Sequence, residues 1–278
     1  MKKILCVILA TLMCLSITSC GKKTLSVEYQ NNADELYDFP DIDYSDCPPI
    51  TLIRGVHGQT LFNDSTITGK IAYAAKEILE KAEKSDKTVG EIPEGTYDSY
   101  NWFEFDEKVY RLYSRKSIAL VDGYYGSGTI LEIDTEAKEF LYDVISYYPY
   151  TTYNGEYSDG KIVFKKVFDN GENPSVKIKN VKVDSDYNVT VSFEAISSKD
   201  MDLSLGLSVD SSGGCEIWNS ESADVSLKAN KAKTFTITST TNPSKSAGHR
   251  FDVYSSTKID SPIHISFALP VKLLDTAD

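Results

Sequence analysis

No apolar run in this chain of 278 residues is long enough to cross a bilayer comfortably; the longest, Ile4 to Leu15, falls short of the roughly 20 residues a spanning helix needs. Cysteine is scarce: Cys6, Cys14, Cys20, Cys47 and Cys215 are too few and too scattered for a disulfide framework. Histidine is scarcer still, and His57, His249 and His264 show no metal-ligand spacing, so no metal site is expected. Basic residues are outnumbered, 29 Lys and Arg against 41 Asp and Glu, for a formal charge of −12. A nucleic acid partner demands clustered cations to neutralise phosphates, and this balance excludes it.

Catalytic signatures are missing as well. The stretch "VDGYYGSGTILEID", Val121 to Asp134, has the glycines of a phosphate cradle but not its context. Such a cradle runs from strand to glycines to helix, usually with a lysine. Here Gly123, Gly126 and Gly128 lead into "TILEI", a second strand, so the stretch reads as a hairpin turn and no cofactor is expected. Ser127 sits directly between Gly126 and Gly128, which is not the spacing of a nucleophile elbow.

What is present begins at the N-terminus. "MKKILCVILATLMCLSITS" couples Lys2 and Lys3 to a short apolar core, the layout of an export signal over residues 1–19. In "ITSC", Ile17 to Cys20, small residues precede a cysteine, and here the chain resembles a bacterial lipoprotein with a lipobox. The resemblance covers about the first twenty residues. It implies cleavage before Cys20, a diacylglyceryl thioether on that residue, and an exported protein tethered to the bacterial membrane, facing outside the cytoplasm, by two acyl chains. Without residues 1–19 the balance becomes 27 bases against 41 acids, or −14. Cys47 and Cys215 would then be the remaining thiols, bridged only if two distant segments meet.

Residues 20–47 are rich in acids and poor in aliphatics, the composition of a solvated acidic linker. Residues 48–157 mix periods. "TGKIAYAAKEILEKAEKS" places Ile71, Ala74, Ala75, Ile78, Leu79 and Ala82 on one helical face behind Thr68 as N-cap, and "TEAKEFLYDVISYY" aligns Ala137, Phe140, Leu141, Val144, Ile145 and Tyr148. Between them lie short β-runs such as "YNWFEF", "KVYRLYS" and "SIALVD". This predicts an α+β N-terminal domain, an antiparallel sheet with two helices. From 158 to 278 the runs alternate with period two, as in Val176, Ile178, Val181 and Val183, or Ile263, Ile265, Phe267 and Leu269. This part resembles an immunoglobulin-like or fibronectin-like domain in pattern, which implies an all-β sandwich; a jelly-roll fits the pattern nearly as well.

Two sets of residues carry candidate function. Aromatic density peaks between Tyr100 and Tyr157, and the doublet Tyr124-Tyr125 cannot easily bury both rings. Trp102, Tyr124 and Tyr125 are therefore the candidate anchors for a protein or carbohydrate ligand, with Trp218 the corresponding but more core-like candidate in the sandwich. Carboxylates are the second set: Glu104 and Asp106 share a strand face, and Glu132 or Asp134 could lie near, the raw material of a glycan hydrolase pair. The expectation is a non-catalytic, lipid-anchored binding protein, with a cell-envelope or glycan hydrolase as the alternative.

Overall fold

A computed structural model of the protein describes residues 22–30, 37, 39–55, 62–88, 101–112, 118–121, 128–171, 173–184, 186–211, 217–241, 249–255, 262–270 and 273. In chain order the first elements are β1 (Lys22–Gln30), β2 (Ile50–Gly55), β3 (Phe62–Ile67), α1 (Gly69–Lys81), β4 (Glu83–Thr88), β5 (Asn101–Phe105), β6 (Lys108–Leu112), β7 (Ile118–Val121), β8 (Gly128–Glu132) and α2 (Thr135–Tyr147). Strands follow alone: β9 (Thr151–Ser158), β10 (Lys161–Phe168), β11 (Ser175–Asp184), β12 (Asn188–Ile196), β13 (Met201–Ser211), β14 (Ile217–Leu227), β15 (Lys233–Thr240), β16 (His249–Ser255) and β17 (Ile263–Leu269). The chain divides into two compact units: residues 34–150 form one, and residues up to 33 together with 151–278 form the other.

The discontinuous unit is one ten-stranded sheet, ordered β14-β13-β16-β17-β9-β10-β1-β11-β12-β15 and rolled into a nearly closed barrel. β1 runs parallel to β10 and β9 parallel to β17; the other pairs are antiparallel. The inward residues form one continuous core, including Leu25, Phe164, Val181, Phe193, Leu205 and Phe267. Each such side chain taken out of water contributes about 1.5–3 kcal/mol.

This overturns the expected fold class. The chain is predominantly β, and it is not an α+β domain followed by an immunoglobulin-like sandwich. Period-two alternation records that one face of a strand is buried; a pair of stacked sheets and a single rolled sheet satisfy it equally. The decisive strands are β9, β10 and β1. They connect the group β14-β13-β16-β17 to the group β11-β12-β15 by continuous hydrogen bonding, so the described strands of this unit form a single sheet. β1 also falls inside the stretch expected to be a linker, with Leu25 fully buried.

Two local devices close the roll. β1 pairs with β11 from Lys22 to Ser26 and with β10 from Ser26 to Gln30, so it changes partners halfway. The β11 register shifts between Ile178 and Asn180, and there the Ile178 N–H donates to the Tyr29 hydroxyl at 2.7 Å. A side chain from β1 thus satisfies a backbone donor that the ladder has released. On β9, Gly155 lies opposite Phe164 on one side and Phe267 on the other. A Cβ at residue 155 would stand 2.5 Å from the Phe164 ring and 2.9 Å from Phe267, whereas the two rings now meet edge to face at 5.9 Å. The glycine makes room for that aromatic contact.

The 34–150 unit is a seven-stranded antiparallel sheet, ordered β3-β2-β5-β6-β7-β8-β4, with α1 and α2 in the same unit. α1 buries Ile71, Ala72, Ala74, Ala75, Ile78 and Leu79; α2 buries Ala137, Phe140, Leu141, Val144 and Ile145. Both stripes follow the 3.6-residue period. Arg54 closes the C-terminal end of α2, its Nη1 donating to the carbonyls of Tyr148 at 2.8 Å and Ile145 at 3.4 Å. A cation at that end complements the helix dipole and satisfies carbonyls that have no intrahelical partner. Among the described residues no helix is long and apolar enough to cross a membrane.

Candidate functional site

The sequence candidates separate on inspection. Trp102 is 4 % exposed, held in the middle of the seven-stranded sheet between Ile53 on β2 and Arg111 on β6. Its indole N–H donates to Glu104 at 2.7 Å and the Arg111 guanidinium lies 5.8 Å from its ring centre. That ring is part of the packing and unavailable to a ligand. Cys20, Tyr124 and Tyr125 lie outside the described residues, as does the turn of the hairpin between β7 and β8; the two flanking strands pair antiparallel. Nothing is described of Cys215 or of the Trp218 side chain, and Cys47 keeps a free thiol whose pKa is raised by burial.

The expected carboxylate pair is dispersed. Glu104 is engaged by Trp102. Asp106 sits with Glu107 in a left-handed two-residue turn between β5 and β6, its side chain 75 % exposed. The register carries Glu104 through Val109 and Val121 to Gly128, so Glu132 stands three strands away and four residues further along. Three strand spacings alone amount to about 14 Å, beyond the ~5–9.5 Å that separates the acids of a glycosidase.

A different cluster forms around α1 and α2. Asp134 accepts the Ala137 N–H at 2.7 Å and so caps α2, with Glu136 in its first turn, where the helix dipole favours negative charge. On α1, Tyr73, Glu77 and Lys81 recur every four residues on one face, and Lys81 pairs with Glu77. Between these surfaces opens a cleft of about 610 Å³, lined by Tyr73, Glu77, Ile78 and Lys81 of α1, Glu132 to Asp134 at the end of β8, Glu136 and Ala137 of α2, and Tyr37 and Pro40 from the segment before β2.

Aromatic contacts fix its walls. The Tyr37 ring packs on Phe140 of α2 at 4.4 Å and on Phe39 at 5.2 Å, while Tyr44 meets Tyr73 edge to face at 5.4 Å. Burial raises the Tyr37 hydroxyl pKa; Lys81 opposes that rise, and Glu136, Glu77 and Asp134 add to it. The hydroxyl therefore stays protonated, available to donate as well as accept. Four carboxylates face one lysine here, and that lysine is already paired. The register also sets Glu83 opposite Glu132, a like-charged cross-strand pair of which Glu132 lines the cleft. A ligand that brings hydroxyl or amine donors would meet acceptors already in place.

Sequence reasoning named Glu132 and Asp134 for another purpose and missed Tyr37, Tyr73, Glu77 and Glu136. A signal existed for the helix face, since Tyr73, Glu77 and Lys81 follow the i, i+4 rule. No signal existed for Tyr37, which reaches the cleft from the stretch taken for linker.

No protein-family model matches the chain, and no curated protein matches it. Among solved structures, part of the chain is similar to a β-glucosidase of Erythrobacter marinus at 9 % identity and a TM-score of 0.18, a likeness covering 34 % of this chain and 15 % of that one. A likeness of that size carries no argument about fold or activity.

Proposed function

We propose that the protein is a lipid-anchored extracytoplasmic binding protein, held at Cys20, whose cleft between α1 and α2 takes a glycan or the donor-rich face of a protein partner. The observation that carries the binding part is the pairing of two tyrosine walls with carboxylates at Glu77, Glu132, Asp134 and Glu136. Rings stack on sugar faces or on apolar stems, and carboxylates accept hydrogen bonds from hydroxyl or amine groups. The anchoring part rests on the lipobox-like "ITSC".

The test is a glycan array and a surface-extract pulldown, followed by titration of whichever ligand is retained. Glu132→Gln with Glu136→Gln should weaken that ligand about tenfold or more, because a hydrogen bond to a charged group contributes ~1.5–3 kcal/mol. Undiminished binding by the double variant and by Tyr73→Ala removes the cleft from this reading.

A further inference from the structure

From the topology of the ten-stranded sheet we infer which of its ends meets the lipid surface; the inference rests on the proposed anchoring at Cys20. β1 begins at Lys22, and two residues of chain reach at most ~7 Å. An anchor at residue 20 therefore leaves no stalk: the end of the sheet where β1 starts lies within reach of the headgroups.

The strand registers say what that end carries. Lys22 aligns with Asp184 on β11, and Val183 with Val189 on β12, so the turn from Asp184 to Asn188 belongs to it. β10 runs parallel to β1, so the turn from Ser158 to Lys161 belongs to it as well. The opposite end carries the connection at 197–200, where the Asn230 N–H donates to the Ser197 carbonyl at 2.7 Å and Lys228 pairs with Asp200. β1 exits and β9 enters at that opposite end too. A nine-residue strand such as β12 spans about 30 Å, so the two ends lie at clearly different heights above a bilayer.

The end at β1 is held there by the short tether and not by affinity. Asp159, Asp184 and Asp186 share this end with the exposed Lys23, Lys161 and Lys182, so its charges offset and give no net pull toward anionic headgroups.

The experiment uses the full lipidated chain with Cys47→Ser and Cys215→Ser, reconstituted in vesicles of phosphatidylethanolamine and phosphatidylglycerol with a headgroup-linked energy acceptor. A single donor is placed at Asp186→Cys, at Asp159→Cys or at Asn230→Cys. Transfer from 186 and 159 should exceed transfer from 230 several-fold, and a ten-residue Gly/Ser insert after Gly21 should erase the difference. Equal transfer from the three positions, with the protein still floating with the vesicles, overturns the orientation while leaving the anchor intact. A difference that survives the insert shows that the face itself adheres and overturns the tether argument. Failure of the native chain to float overturns the anchoring reading beneath both, and Cys20→Ser should stay with the soluble fraction.

Discussion

The two units solve the burial problem differently. The ten-stranded sheet hides one face along its strands, so its core is written as alternation, from Leu25 on β1 to Leu269 on β17. The 34–150 unit covers a sheet with helices and aromatic contacts, and its strand β5 buries the consecutive residues Trp102 and Phe103. A rolled sheet uses its curvature to bury; a sheet with helices uses a second layer. In the second arrangement the cleft lined by Tyr37 and Tyr73 opens between α1, α2 and the end of β8.

The sharpest way to break this comparison is at β1, which counts as sheet or as linker. Leu25→Ala should destabilise the ten-stranded unit by about 2–5 kcal/mol, the range for truncating a fully buried leucine. Amide exchange should accelerate in β10 and β11 and leave α1 and α2 unchanged. An exchange map without that contrast would return residues 22–30 to the role of linker.

A smaller effect is expected at Gly155→Ala, where the added methyl must push the Phe164 and Phe267 rings apart. Overpacking of this kind costs about 1–3 kcal/mol, read as a lowered denaturation midpoint of the same unit. In the other unit, Asp134→Ala removes the cap on α2 and should cost roughly 0.5–2 kcal/mol, seen as local exchange at residues 135–138. No change there would mean that the cap is redundant.

The mildest prediction concerns pH and again separates the units. On β16, burial of Asp252 by itself raises its carboxyl pKa, but bonds from His264 and the charge of Arg250 outweigh it and leave the value lowered. Its oxygens accept from His264 at 3.0 Å and lie 3.0 Å from Arg250. A lowered native value means stability that is complete above the unfolded carboxyl pKa of about 3.9 and is lost as pH falls through the lower native value. Asp252→Asn should flatten acid unfolding of the ten-stranded unit below about pH 4, and urea midpoints between pH 2 and 6 measure it. An unchanged slope would show that other carboxylates set the acid limit.

Much of the local structure was legible. Both helices were expected where α1 and α2 lie, because a 3.6-residue stripe is a strong, contiguous signal. Asp134, which directly precedes "TEAKEF", caps α2. Even β1 was written in "TLSVEY", where Leu25, Val27 and Tyr29 alternate with Thr24, Ser26 and Glu28, but the acids that follow masked it. The candidate site was less legible. Trp102 was chosen for an amphipathic ring, yet ring chemistry does not reveal whether neighbouring strands cover both faces.

The sequence by itself determined which residues could be buried and with what period, because periodicity is a property of adjacent positions. It also carries the acidic balance. Only the tertiary structure decided that the alternating strands roll into one sheet, that β1 inserts between β10 and β11, strands that follow it by well over one hundred residues of chain, and that Tyr37 and Tyr73 line one acidic cleft. Strand order is fixed by which backbone edges find partners, a long-range choice that depends on loop closure and core volume and leaves no mark at any single position.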